Sequence, residues 1–224
     1  MEKDKQRLRV LITGTSSGIG LAIAMKFLNE GHYVIGFDIK PSVIEDPSYE
    51  HWMLDVGKNM LPRLDNINII INNAGTVDEN DAIETNLIGY IRVAEEYAFQ
   101  KEIKSVLNVA SISAHTGIDW PYYSASQGGR ISYTKNLAIR LGKEYKATVN
   151  SLSPGAVMTG LEPELYADAK LIKAVEDESI LKKWIMPEEM ADFAYFLTVI
   201  NKSMTGQDVL VDNGESSNFN FIHV

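Results

Sequence analysis

The chain contains no cysteine, which excludes disulfide staples, thiolate metal sites and a cysteine nucleophile, and permits a reducing interior. It has no apolar run near the roughly 18–20 residues needed to span a bilayer. Positive charge is also short. Lys and Arg number 21 against 30 Asp and Glu, a formal charge of -9, which argues against a general affinity for nucleic acid or anionic membrane. No repeat, low-complexity tract or Pro/Gly/Ser-rich linker interrupts it, and no grouping of side chains suggests a metal site. The first residues, MEKDKQRLRVLITG, are charged and then apolar, without the long apolar stretch and cleavage site of a signal peptide, so a cytoplasmic location is expected.

What is present is alternation. Short apolar runs at 9–12 (RVLI), 33–37 (YVIGF), 51–54 (HWML), 67–71 (INIII), 105–109 (SVLNV), 147–152 (ATVNSL) and 208–211 (DVLV) are separated by segments of helical period. That pattern predicts a single doubly wound α/β domain of Rossmann type over 1–224, a parallel seven-stranded sheet flanked by helices. The clearest helix is 18–30, with Ile19, Ile23 and Phe27 every fourth residue and Gly31 as its stop. Residues 160–190 are long, charged and bounded by glycine and proline signals, and read as a helical excursion, either a substrate-side lid or a solvated surface helix pair.

TGTSSGIG at 13–20 follows the first strand and opens that helix. Glycines there allow a tight turn, close approach of backbone amides to a pyrophosphate, and a helix start packed on the sheet. Leu21 follows Gly20, so the Lys-Ser/Thr ending of a P-loop is missing. The second strand ends in Asp38, placed to accept hydrogen bonds from adenosine ribose hydroxyls and to repel a 2′-phosphate. Ile39 follows it rather than Arg, which favours NAD(H) over NADP(H).

With these features the chain resembles the short-chain dehydrogenase/reductase family over essentially its full length. The glycine pattern Thr13-Gly14-x-x-x-Gly18-x-Gly20, LDV at 54–56, NNAG at 72–75, Asn86 in ETNLIG, VASISA at 109–114, SPGAVMTG at 153–160 and TGQDVLVDNG near the end occur in the family's order. The resemblance implies cofactor contacts from Gly14, Ser16, Ser17, Gly18, Ile19, Gly20, Asp38, Asp55, Val56, Asn73, Ala74, Gly75, Pro154, Gly155, Val157 and Thr159. It implies Asn86 as the catalytic asparagine behind a relay water and Ser111 as the orienting serine, with Ser113 as its alternative. It also implies a homodimer or homotetramer through the fourth and fifth helices, and the tail SSNFNFIHV adds apolar surface to cover.

YYSASQGG at 122–129 carries the decisive departure. Tyr123 fits the first position of the family's Tyr-x-x-x-Lys motif, but the residue four positions on is Gln127. Tyr122 fits less well, since its partner would be Ser126. In the family the lysine holds the cofactor ribose and lowers the tyrosine's pKa. A cation ~5 Å from a phenolate, at an effective dielectric near 20, is worth on the order of 3 kcal/mol, or roughly 2 pKa units. An unassisted phenol with a pKa of about 10 is ionised in about one molecule per thousand at pH 7. Oxidation of an alcohol, which needs tyrosinate, should therefore suffer more than reduction of a ketone. Gln127 retains hydrogen-bonding capacity toward the ribose. Arg130 shares the face but lies about 10 Å along the helix from Tyr123, so a surface or interface role is expected of it. On this reading, Gln127→Lys should raise turnover.

The expected function is hydride transfer between a nicotinamide cofactor and a small-molecule alcohol or ketone, at reduced efficiency. Catalytic work falls to Asn86, Ser111, Tyr123 and Gln127, with Tyr123 and Gln127 also touching the cofactor. Substrate contacts are expected from Ser111, His115, Trp120, Tyr122 and Tyr123. The competing reading is a catalytically impaired nucleotide-binding regulatory or scaffold protein of the same fold. The stretches from Asp55 to Asn72 and from Gly75 to Asn86 are brief, and predict a pruned third crossover and approach to the fourth helix, with either a more open substrate side or an altered helix-pair interface.

Overall fold

Strands Ile69–Asn72 (β4) and Ser105–Val109 (β5) are buried at every residue, as central strands of a sheet covered on both faces must be. The computed structural model describes residues 7–159 and 168–218. Around these two strands run Arg9–Thr13 (β1), Tyr33–Asp38 (β2), Tyr49–Met53 (β3), Thr148–Pro154 (β6) and Asp208–Val211 (β7), all parallel, in the order β3-β2-β1-β4-β5-β6-β7. This is the single doubly wound α/β domain that the apolar alternation predicts. The order reverses between β1 and β4, opening a crevice beyond the C-terminal strand ends.

Helices α1 (Gly18–Asn29) and α6 (Pro187–Tyr195) cover one face, where Ile23, Phe27, Met190 and Ala194 join Val10, Ile12 and Ile71. On the other face, α2 (Gly89–Tyr97) and α4 (Pro121–Tyr145) place Val93, Tyr97, Leu137 and Leu141 against Leu11, Ile70 and Val106. α1 ends where expected, with Gly31 at a φ of 84°. A π-helical turn, Glu84–Ile88, leads into α2, and a short helix α3 (Ser113–Thr116) follows β5.

The third crossover is pruned, as its length predicts. No helix forms between β3 and β4; the chain runs as coil, with Leu54, Val56 and Ile67 buried. Arg92 of α2 holds this coil by donating to the carbonyls of Val56, Gly57 and Asn59, and Tyr97 Oη donates to Pro62 O. In the excursion, α5 (Ala169–Glu178) buries none of its residues, whereas Trp184 and Ile185 are buried and Ile185 bridges to Val157. Residues 160–167 of the excursion and 219–224 of the apolar tail lie outside the described residues. Among the described residues no helix is long and apolar enough to cross a membrane.

Candidate active site

The glycine turn is built by close packing. Gly14 adopts a φ of 78° and donates its N–H to Phe37 O at 2.7 Å, while a Cβ on Gly20 would overlap the Gly14 carbonyl. α1 therefore starts hard against the end of β1. Ser17 precedes it in extended conformation without capping it by its side chain, leaving the first-turn amides to face the crevice. Gly18 lies beside Thr159, and Ile19 packs partly buried against the core. Asp38 anchors the turn: Oδ2 accepts from Ser16 N at 2.9 Å and Oδ1 from Lys40 N at 2.8 Å. Beneath it a chain absent from the sequence expectation links Thr15 Oγ1, Tyr49 Oη, His51 and Lys40 O.

NNAG is clamped to the first strand. Thr13 Oγ1 accepts from the N–H groups of both Asn73 and Ala74, and Asn73 Nδ2 donates to Thr13 O. Asp55 Oδ1 accepts from Gly57 N at 2.8 Å, and Val56 is buried. Pro154 ends β6 and its carbonyl accepts from Ile112 N; Gly155 N donates to Val211 O, and Ala156 N to the Glu215 carboxylate. Burial raises the Glu215 carboxyl above the usual range, only partly opposed by that backbone donor.

α4 begins at Pro121, and its first amides are met from a distant loop: Glu79 Oε2 accepts from Tyr122 N at 3.1 Å and Oε1 from Tyr123 N at 2.9 Å. A carboxylate at a helix N-terminus is favoured by the macrodipole and fixes the start of the turn that carries Tyr123. Trp120 stands edge-on to the Tyr123 ring, centroids 6.5 Å apart. Tyr122 is largely exposed.

One turn on, Gln127 is buried, and so is Arg130, which is only 3% exposed. Arg130 is thus neither a surface nor an interface residue. Its side chain leans back toward the helix N-terminus and runs inward, the direction helical side chains favour. Nε donates to Asn86 O, Nη1 to Val109 O at 2.7 Å and to Gln127 Oε1 at 3.0 Å, and Nη2 to Ala74 O at 3.2 Å. The guanidinium carbon lies 3.6 Å from the centre of the Tyr90 ring. Gly75 leaves it room, since a Cβ there would come within 3.3 Å of Nη2. Burial lowers the Arg130 pKa from its ordinary value, yet a guanidinium remains charged in proteins.

Asn86 is fully buried in the π-helical turn. Its amide exchanges hydrogen bonds with Thr76 N and O, both 2.8 Å, and reaches Ser126 Oγ at 3.3 Å. Ser111 and Ser113 are both buried and their hydroxyls lie 3.0 Å apart; Ser113 Oγ also donates to Asp119. His115 is drawn to the first residue of β7, Nε2 to Asp208 Oδ2 at 2.7 Å. Sequence reasoning missed Glu79, Asp119 and the inward course of Arg130. Each acts on residues far off in the chain or across a loop, where local pattern gives no sign of it. No cluster of potential metal ligands occurs among the described residues.

A family model described as enoyl-(acyl carrier protein) reductase matches residues 43–216. An uncharacterized oxidoreductase of Bacillus subtilis, YxjF, is 27% identical over 91% of this chain and 96% of its own length. The 3-oxoacyl-[acyl-carrier-protein] reductase FabG of Chlamydia pneumoniae is 28% identical over 92% of this chain and 96% of its own. Among solved structures, 4-hydroxyisoleucine dehydrogenase complexed with NADH superposes with a TM-score of 0.86 at 24% identity, over 95% of this chain and 100% of that one, a likeness of fold. The family match over most of the chain, joined to the sheet order and the glycine turn, shows that the protein belongs to the short-chain dehydrogenase/reductase family of oxidoreductases.

Proposed function

We propose that the protein transfers hydride between NAD(H) and the hydroxyl or carbonyl of a small molecule. The observation that carries this reading is topological. The glycine turn after β1, NNAG after β4, Ser111 after β5 and the Pro154–Thr159 segment after β6 all lie beyond C-terminal strand ends of one sheet, around its reversal point. The relatives' names, and structural neighbours whose complexes hold NADH or NADP, support a nicotinamide-dependent oxidoreductase; the choice of NAD(H) rests on Asp38.

The residues present fit a dinucleotide. The Gly14–Gly20 turn, pressed so close that a side chain on Gly20 has no room, leaves backbone amides for a pyrophosphate, with Ser16, Ser17, Gly18 and Ile19 along the same wall. Asp38, held rigid by two backbone donors, receives the adenosine ribose and disfavours a 2′-phosphate. Asp55 and Val56 would border its adenine, Asn73, Ala74 and Gly75 would lie beneath it, and Pro154, Gly155, Val157 and Thr159 would hold its nicotinamide end. When bound, the cofactor supplies the hydride acceptor or donor.

Tyr123 exchanges the proton. In oxidation its phenolate would take the hydroxyl proton, and in reduction its phenol would give a proton to the substrate oxygen. Ser111 orients that oxygen. Ser113, committed as donor to Asp119, is the support behind it. Asn86 fixes the loop at Thr76 and holds the relay. Gln127 occupies the position at which the family carries lysine. Trp120 and Tyr122 line the approach, and His115, engaged with Asp208, borders it. A cytoplasmic homodimer or homotetramer goes with this reading, with exposed Ile88 and Ile139 on the helices such an assembly would use.

The test is turnover over a panel of ketones and alcohols with NADH or NAD+, for the natural chain and Tyr123→Phe. Loss of general acid–base catalysis should lower kcat by about 10²–10⁴-fold. Equal rates in both proteins would remove Tyr123 from the mechanism, and cofactor binding without turnover on any substrate would favour the regulatory reading.

A further inference from the structure

The chain beyond β6 spends nearly all of its own backbone donors. From Pro154, which has none, to Thr159, Gly155 N donates to Val211 O, Met158 N to Ile185 O and Thr159 N to Val157 O, while Ala156 N goes to a side chain, Glu215 Oε2 at 3.1 Å. Val157 N–H finds no acceptor among the described residues. Its acceptor must come from outside the chain, from water or from a ligand.

The direction of that donor is fixed by its neighbours. Ala156 O and Val157 N–H belong to one trans peptide plane and point to opposite sides of the chain. Ile185 N donates to Ala156 O at 3.0 Å, so Val157 N–H faces away from the excursion. Glu215 holds the other end of Ala156 by its N–H.

Glu215 is itself held for this contact. The turn after β7 has Asn213 and Gly214 at φ of 52° and 81°, and the Asp212 carboxylate accepts from Gly214 N at 2.9 Å and from Ser216 N at 2.8 Å. Glu215 N donates to Asp212 O at 2.9 Å, and Asn213 Nδ2 ties the turn to Lys183 O at 2.8 Å. Gly155 leaves room for the carboxylate, since a Cβ there would come within 2.5 Å of Glu215 Oε2. Burial works against an ionised carboxyl in this place, so stability alone does not call for an acid.

We propose that Glu215 is a positioning residue for the nicotinamide end of the bound dinucleotide, pinning Ala156 N so that Val157 N–H stays turned to that end as a donor. The proposal rests on the oxidoreductase reading above, which places the Pro154–Thr159 segment at the nicotinamide. Glu215 acts through Ala156 and need touch neither cofactor nor substrate.

The experiment is a calorimetric titration of the full chain at pH 7 with NADH and, separately, with ADP-ribose, which has the adenosine, the pyrophosphate and the second ribose but no nicotinamide. The natural chain should bind NADH the more tightly. Glu215→Ala should weaken NADH binding by about fivefold or more and leave ADP-ribose within about twofold of the natural value. Glu215→Gln, which keeps an acceptor for Ala156 N, should restore most of the NADH affinity. If Glu215→Ala does not fold, Glu215→Met, of similar length and without an oxygen, carries the same test. A folded Ala or Met variant with natural NADH affinity would overturn the proposal, as would a Gln variant no better than Ala. Equal weakening of both ligands would also overturn it and leave Glu215 a structural contact. Equal affinity of the natural chain for the two ligands would do the same, because the segment would then add nothing. A natural chain that binds no NADH at all would instead remove the oxidoreductase reading, and the proposal with it.

Discussion

The Arg130 guanidinium and the Gln127 amide meet at 3.0 Å, Nη1 to Oε1, one turn apart on α4 with both side chains buried. A lysine at 127 would therefore place a second cation against the first. At an effective dielectric near 20, two like charges ~5 Å apart cost on the order of 3 kcal/mol, a fall in Tm of roughly 6–12 °C for a chain of this size. Gln127→Lys alone should lower Tm by that order and leave turnover no higher, contrary to the expectation from sequence. Gln127→Lys combined with Arg130→Gln, which keeps donors at position 130 and removes its charge, should relieve that repulsion and melt higher than Gln127→Lys alone. Calorimetric melts and steady-state rates of the two variants check this, and a single variant that is both stable and faster would contradict it.

Glu79 caps the helix that carries Tyr123 from a loop more than forty residues upstream. Glu79→Ala removes both acceptors. Loss of a helix cap costs about 1 kcal/mol, so Tm should fall by ~2–4 °C, and kcat should fall with it while NADH affinity stays close to that of the natural protein. Melting curves and a fluorescence titration separate the two effects.

Glu215 gives a pH dependence with a definite sign. Burial raises its folded-state pKa, so the folded protein binds this proton more tightly than the unfolded chain. The resulting stabilisation is fully present below the ordinary glutamate value and is lost as pH rises through the raised folded value. Glu215→Gln keeps an acceptor for Ala156 N and removes the titration. The Tm difference, variant minus natural, should be more positive at pH 7 than at pH 4. A difference that does not change with pH would show that this carboxyl is not perturbed.

Much of the fold is legible in the sequence because short, largely apolar runs mark its strands. SVLNV and DVLV coincide with β5 and β7 residue for residue. β3 is offset, Tyr49–Met53 where HWML suggested 51–54, because an edge strand begins with half-buried Tyr49, Glu50 and His51 rather than with an apolar run. Asn86, Ser111 and Tyr123 stand out in the sequence as candidates because each sits in a local motif. Arg130 cannot, because helical spacing gives its face and its rise but not the inward lean that brings the guanidinium under Asn86 and Ala74. Glu79 and Asp119 escape for a similar reason, since their partners are set by how loops fold over the crevice.

The account depends first on a dinucleotide in that crevice. Its most direct measurement is the fluorescence titration of the full chain with NADH and, separately, with NADPH. Saturable binding of NADH, with NADPH weaker by about tenfold or more because Asp38 faces the 2′ position, is the expected result. Binding of neither nucleotide would contradict the account.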